Sequence, residues 1–372
     1  WVNALVKDLK AHQGESLVVV GDHQSPAVHA LAHAINHTLG NVGKTVMHTA
    51  PVEANPVNHQ TSLNDLASDM SGGSVSLLVM LGGNPVYNTS SDINFEALLK
   101  KVPMTIHLGQ AQNETSQLCN WHLPESHALE AWSDARAFDG TVSIVQPLID
   151  PLYSGQSAHE LLAAALGDGR QGYALVKEYW EAKRGGTTFE NDWQTWLHDG
   201  MIPQTALAAK SVRLKGNYGS PVSVSEGLEV AFRLDPTIGD GRYANNGWLQ
   251  ELPKPNTRLT WDNAALLAPA TAEKMGVEDN DVITVQVDDR SIALPVWRMP
   301  GLPADTVTVH LGYGRKVVGR VGNDVGVDAY ALQTSQALWQ AAASASKTGQ
   351  TYKLAGTQDH WYMEGRNLGG SG

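Results

Sequence analysis

Three groups of residues in this chain have the types and spacing for chemistry. The first is the turn Gly82, Gly83, Asn84, Pro85, which ends the apolar run Leu77, Leu78, Val79, Met80, Leu81. Two glycines let backbone approach a ligand closely, and Pro85 stiffens the exit. Backbone N–H groups in such a loop can cradle a phosphate. The second group is the glycine-rich segment carrying Arg315, Lys316 and Arg320, which could set cations against the same kind of anion. Paired with acids such as Asp324 or Asp328, the same arginines would be structural. The third is His29, His33 and His37, spaced i, i+4, i+8 on one helical stripe. Imidazoles in that register can bind a transition metal. They flank the apolar stripe Val28, Leu31, Ala32, Ile35 and Leu39, and no residue supplies the outer partners a metal site needs. They read as a solvated helix edge, so no metal site is expected.

The elements that must position these groups follow in order. An amphipathic helix over 1–13, a strand over 16–21, a helix from Pro26 to about Leu39 and a strand over 45–51 come first. A helix over 62–70, the run ending at Leu81 and a strand over 104–109 continue the alternation. Strand–helix alternation with short connections predicts a parallel sheet, and the nearly unbroken apolar run at 75–81 predicts a strand buried on both faces. There is no GxGxxG after the first strand, so a dinucleotide site is not indicated. From 168 to 200 the pattern predicts helices broken at Arg184-Gly185-Gly186. The last third alternates with period two: a short helix to Met275, Gly276, then strands over 282–288, 291–297 and 306–312, as in a small barrel. The chain is thus expected to be α/β with three regions: an α/β parallel-sheet domain over 1–165, a connecting region over 166–259, and a β-barrel domain with its extension over 260–372.

Composition narrows the classes. The 372 residues carry 26 Lys and Arg against 38 Asp and Glu, a net charge of -12, with no basic cluster, which argues against nucleic acid. No apolar run reaches the roughly 18 residues of a membrane span. Cys119 is the single cysteine, which excludes a four-cysteine iron–sulfur cluster within the chain. Eleven tryptophans stand beside only four phenylalanines. Trp180, Trp193, Trp196, Trp248 and Trp361 fall on polar segments and are expected to include anchors of a partner surface. The chain starts Trp-Val-Asn and stops at Gly-Gly-Ser-Gly, which suggests a piece of something longer.

Several long segments carry a resemblance. LAPATAEKMGVEDNDVITVQVDDRSIALPVWRMPGLPADTVTVHLGYGR resembles the C-terminal domain of the molybdopterin oxidoreductase superfamily, through Pro269, Ala272, Met275, Gly276, Asp281 and Val282. GNPVYNTSSD, LPESHALEAWSDARAFDGTVSIVQPLIDPLYSG, NNGWLQELPKPNTRLTWDNAALLAPATAEKMG and QDHWYMEGRNL are similar to the large iron–sulfur subunit of bacterial alternative complex III. The resemblance implies a parallel-sheet α/β domain of the molybdopterin oxidoreductase type followed by a double-psi β-barrel-like domain. It also implies a cofactor-free scaffold at the periplasmic side of the inner membrane. The expected neighbours are an iron–sulfur cluster domain, a cytochrome c and quinol-binding membrane subunits. Gly82, Gly83, Asn84 and Arg315 would then be vestigial pterin loops.

Molybdenum enzymes of the superfamily usually continue the stretch after their third domain with asparagine and Glu-Gly-Arg. Here Gly140 and Thr141 lead into Ser143, Ile144 and Val145, and Glu364-Gly365-Arg366 comes much later; the portion that supplies a metal ligand in such enzymes has no counterpart either, so the resemblance carries over no catalytic residue. The alternative is a fragment of a true molybdopterin enzyme, with loops 82–85 and 310–323 cradling a pterin phosphate. A sugar- or nucleotide-binding α/β protein is a further possibility, weakened by the missing phosphate loop.

Overall fold

The computed structural model describes residues 1–215 and 227–357; Trp361 and the Glu364-Gly365-Arg366 triplet lie outside them. Helices α1 (Val2–Ala11), α2 (Pro26–Thr38) and α3 (His59–Gly72) open the chain. Neither flanking segment expected as a strand is one. Residues 16–21 run extended, but the buried Asn36 amide takes both backbone groups of Val18, donating to its carbonyl at 2.7 Å and accepting from its N–H at 2.9 Å. A side-chain amide thereby stands where a neighbouring strand would pair. Residues 45–51 lack a ladder too, with one isolated bridge joining Val42 to Val46.

Strand β1 (Leu77–Leu81) leads through α4 (Pro85–Asn88) and α5 (Phe95–Leu99) to β2 (Met104–Gly109) and β3 (Trp121–Pro124). The three form a parallel sheet in the order β1-β2-β3. Met80 packs with Met70, Phe95, Leu99 and Val102 beneath α3 and α5. The other face differs from the sequence expectation, because Leu77, Val79, Leu81, Met104 and Trp121 are exposed. A run of apolar residues reports that a strand could be covered twice, not that two layers are there.

A second sheet, β4 (Ser133–Arg136), β5 (Val142–Val145) and β6 (Met201–Ile202), is antiparallel in that order. It carries α6 (Ala158–Ala165), α7 (Gly172–Arg184) and α8 (Phe189–Asp199). Ser157 and Glu160 close a capping box at the start of α6, and Gly200 ends α8 in the left-handed region. Trp180, Trp193 and Trp196 are buried here with Phe189, Val142 and Ile202. These three are core, which narrows the expected anchors among the described tryptophans to Trp248. Trp248 alone of the described four is open to solvent, at 87% exposure.

The third unit is a seven-stranded mixed sheet curled into a half-barrel. Its first elements are β7 (Glu229–Arg233), α9 (Gly247–Glu251), β8 (Leu259–Thr260), β9 (Ala265–Leu267) and α10 (Pro269–Met275). It continues with β10 (Asp281–Val287), β11 (Arg290–Arg298), β12 (Thr306–His310), β13 (Gln340–Ala342) and β14 (Ser344–Thr351). The order is β13-β7-β12-β9-β11-β10-β14, while β15 (Ala355–Gly356) pairs with β8 outside it. Alternate residues of each strand point inward, so Val230, Phe232, Leu267, Ile283, Val285, Leu294, Val296, Val307 and Val309 make one core. Gly276 ends α10 at φ 66, where a side chain would be strained.

The parallel-sheet unit meets the half-barrel through specific bonds. Tyr87 Oη donates to the Tyr313 carbonyl at 2.7 Å. Ser91 donates twice to the Gln333 carbonyl, and Asp92 accepts from the Ser335 N–H and hydroxyl at 2.8 and 2.6 Å.

Candidate functional site

A cleft of about 1320 Å³ opens between these two units, with Gly82, Gly83 and Asn84 on one wall and Arg315, Lys316 and Val317 on the other. The Gly82–Asn84 turn and two of its three cationic counterparts, Arg315 and Lys316, therefore face one cleft, while Arg320 does not line it. Gly82 and Gly83 follow β1 at φ 76 and 77, which turns the chain sharply off the carboxyl end of the parallel sheet, where open α/β sheets place ligands.

The donors converge on a side chain of the protein itself. Glu114, from the loop after β2, accepts from the Lys316 N–H at 2.8 Å and the Val317 N–H at 3.0 Å through Oε1. Its Oε2 accepts from the Arg315 guanidinium and from Asn84 Nδ2, both at 2.7 Å. Arg315 also donates to the carbonyls of Gly241 and Val317 and lies over the Tyr87 ring, 5.3 Å from its centroid. Asn84 is fixed in turn by Thr115, whose N–H and hydroxyl both donate to Asn84 Oδ1. Every strong donor of the constellation is thereby committed. Arg315 pairs with Glu114 and not with Asp324 or Asp328, since Asp324 bonds Lys316; Arg320 is exposed.

Glu114 is the functional residue that sequence reasoning missed. It lies 201 positions from Arg315 in a polar loop without periodic pattern, so no local signal marks it. His107 and His122 were missed as well, although they are register partners on β2 and β3. His107 Nε2 is 3.0 Å from the Gly83 carbonyl and its Nδ1 is 3.1 Å from His122 Nδ1. The carbonyl requires a proton on Nε2, so His107 Nδ1 accepts from His122. Burial holds both imidazoles below their usual pKa, and burial pushes the nearby Glu125 carboxyl up. The pair is a neutral prop beneath the Gly82–Gly83 turn.

Two carboxyls of this junction give it a pH signature. Burial acts to raise the Glu114 pKa, but hydrogen bonds from Arg315 and Val317 and the guanidinium charge outweigh it, bringing it to about 2. Asp328 is pushed up to about 6, first by burial and then by the Glu114 charge. Glu114 therefore contributes stability present above its ordinary pKa and lost as pH falls toward 2. Asp328 works in the opposite sense: ionising it in the fold costs more than in the unfolded chain, so stability declines as pH rises from about 4 to 6. Melting temperature against pH is expected to peak between these limbs. Glu114→Gln should flatten the acid limb and Asp328→Asn the upper one; unaltered limbs would refute the assignment.

His29 is half-buried while His33 and His37 are exposed on α2. Among the described residues, no group of three His, Cys, Asp or Glu side chains is placed to hold a metal ion. A pterin dinucleotide needs oriented N–H donors and cations for its phosphates. On the half-barrel wall the Arg315 guanidinium and the Lys316 and Val317 N–H groups are taken up by Glu114, while Arg242, Asn245 and Asn246 line the same cleft.

No protein-family model matches the chain. In sequence it is 25% identical over 254 residues to the menaquinone reductase, molybdopterin-binding-like subunit of Nitratidesulfovibrio vulgaris (strain Hildenborough). That match covers 64% of this chain and 36% of the relative, so the chain spans about a third of that protein's length. In structure it superimposes on acetylene hydratase from Pelobacter acetylenicus with a TM-score of 0.56 at 14% identity, covering 76% of this chain and 46% of that one. The fold is shared with that enzyme.

Proposed function

We propose that this chain is the cofactor-free, scaffolding part of a membrane-associated quinol oxidoreductase of the alternative complex III type. The observation that carries the reading is Glu114 seated among the donors that a cofactor phosphate would require. In this reading the half-barrel is part of a double-psi β-barrel, and no redox chemistry takes place in the chain itself. Its work is to hold an iron–sulfur cluster domain, a cytochrome c subunit and quinol-binding membrane subunits in register on the periplasmic side of the inner membrane. The menaquinone reductase relative supports the respiratory setting. No helix among the described residues is long and apolar enough to cross a membrane, which is consistent with a peripheral position.

The open cleft beside Gly82 and Gly83 favours a second reading, a fragment of a true molybdopterin-dependent oxidoreductase. Elemental analysis for molybdenum, with fluorescence of acid-released oxidised pterin, separates the two on protein purified in its native assembly. The scaffold reading expects neither above trace level. Stoichiometric amounts of either would replace it with the enzyme.

A further inference from the structure

We propose that the Lys316 and Val317 N–H groups, the Arg315 guanidinium and the Asn84 amide form an oxyanion-binding site that Glu114 fills from within, and that this internal ligand latches the parallel-sheet unit to the half-barrel. The inference stands on geometry and does not require the scaffold reading. Two successive backbone N–H groups reach one carboxylate oxygen, at 2.8 and 3.0 Å, while a guanidinium and an amide reach the other at 2.7 Å each. Successive N–H groups pointing into one concavity are a recurrent way of binding anionic oxygens, and the guanidinium adds charge-assisted bonds. Each donor is held independently of Glu114. Arg315 is braced by the Gly241 and Val317 carbonyls and Asn84 by Thr115, while the turn carrying the Lys316 and Val317 N–H groups is closed by the Asp324 N–H on the Arg315 carbonyl at 2.8 Å and by Asn323, which accepts from the Val318 N–H at 2.6 Å. The Glu114 side chain is also nearly buried, 12% exposed against 8% for Arg315. A site whose donors are fixed from behind stays shaped when its ligand is removed.

The ligand class is therefore a small oxyanion, with a carboxylate as the resident member. Glu114 belongs to the parallel-sheet unit, whereas Arg315, Lys316 and Val317 belong to the loop after β12, so filling the site ties the two units together.

The test is chemical rescue in the full chain. Glu114→Ala is expected to lower the melting temperature by about 5 °C or more. Inorganic phosphate or formate at millimolar concentration, with ionic strength matched by sodium chloride, should then return about 3 °C beyond any gain shown by the unmutated chain. That comparison removes the general stabilisation that phosphate gives by exclusion from protein surfaces. Adding Arg315→Met to Glu114→Ala should abolish the rescue. Glu114→Gln, which fills the space with a neutral amide, should fold, melt lower than the parent and gain nothing extra. Three outcomes would overturn the proposal: an unchanged melting temperature in Glu114→Ala, an anion response equal to the parent's, or a variant that stays unfolded with and without the anion.

Discussion

Trp193→Ala is expected to destabilise the chain by about 3–5 kcal/mol, the range for deleting a large aromatic from a packed core. Trp193 has 0% exposure and touches aromatic neighbours on several sides: the Phe189 ring is 6.1 Å away and stacked, and Trp196 and Tyr173 approach edge-on. Its indole N–H donates to the Tyr173 hydroxyl at 3.1 Å, so removal also takes away that hydrogen bond. The neighbours cannot close the hole, because Trp196 and Phe189 sit on the same helix and Ile202 is fixed by β6 pairing to β5. Trp193→Phe keeps most of the volume and should cost much less. Trp248→Ala, at an exposed position, should move the urea midpoint by no more than a change of about 0.5 kcal/mol in unfolding free energy produces. If Trp193→Ala and Trp248→Ala shift that midpoint equally, the core assignment fails.

The misreading of these tryptophans has a physical source. Phe189, Trp193 and Trp196 recur at i, i+4 and i+7, the spacing of one helical face. The polar residues between them hid that stripe, since a small unit buries few positions per turn. Where local pattern and tertiary role agree, the sequence was readable. The period-two strands β10, β11 and β12, the helix stopped by Gly276 and the turn after Leu81 all stand close to where the pattern puts them. It was unreadable where a distant group decides. Residues 16–21 have strand composition, but the Asn36 amide takes the hydrogen bonds of Val18. The pairing of β7 with β12 joins segments far apart in the chain. For the site, glycine spacing and basic residues marked both walls of the cleft. What fills the anion position is one glutamate, set there only by the packing of two units.

Lys254→Met is expected to cost about 3–5 kcal/mol, because it leaves a buried negative charge without its counter-charge. Lys254 and Asp235 have side-chain exposures of 3% and 0%, and their charged atoms lie 3.6 Å apart, an ion pair and not a hydrogen bond. Asp235 Oδ1 is satisfied by the Thr237 N–H and hydroxyl and the Ile238 N–H. Its Oδ2 has no hydrogen-bond donor among the described residues, so the Lys254 charge is what compensates it. Lys254 itself donates to the Tyr313 hydroxyl at 2.7 Å. Burial holds its pKa below the usual lysine value, with Asp235 acting against that shift. Asp235→Asn combined with Lys254→Met should recover most of the loss, since it removes both buried charges together. The pH dependence supplies an independent readout. His310 Nδ1 lies 3.8 Å from Asp235 Oδ2, and burial lowers its pKa, with the Lys254 and Arg233 charges adding to that and Asp235 opposing it. Without Lys254, one of the cations that lower it is gone and the folded-state pKa of His310 rises. Such a rise contributes stability that is present at low pH and lost as pH climbs through the folded pKa. The gap between Lys254→Met and the parent should therefore narrow as pH is lowered from about 8 to 6. It should not narrow when His310→Gln is added. A gap independent of pH, or one that widens on acidification, would show that Asp235 is compensated by another group.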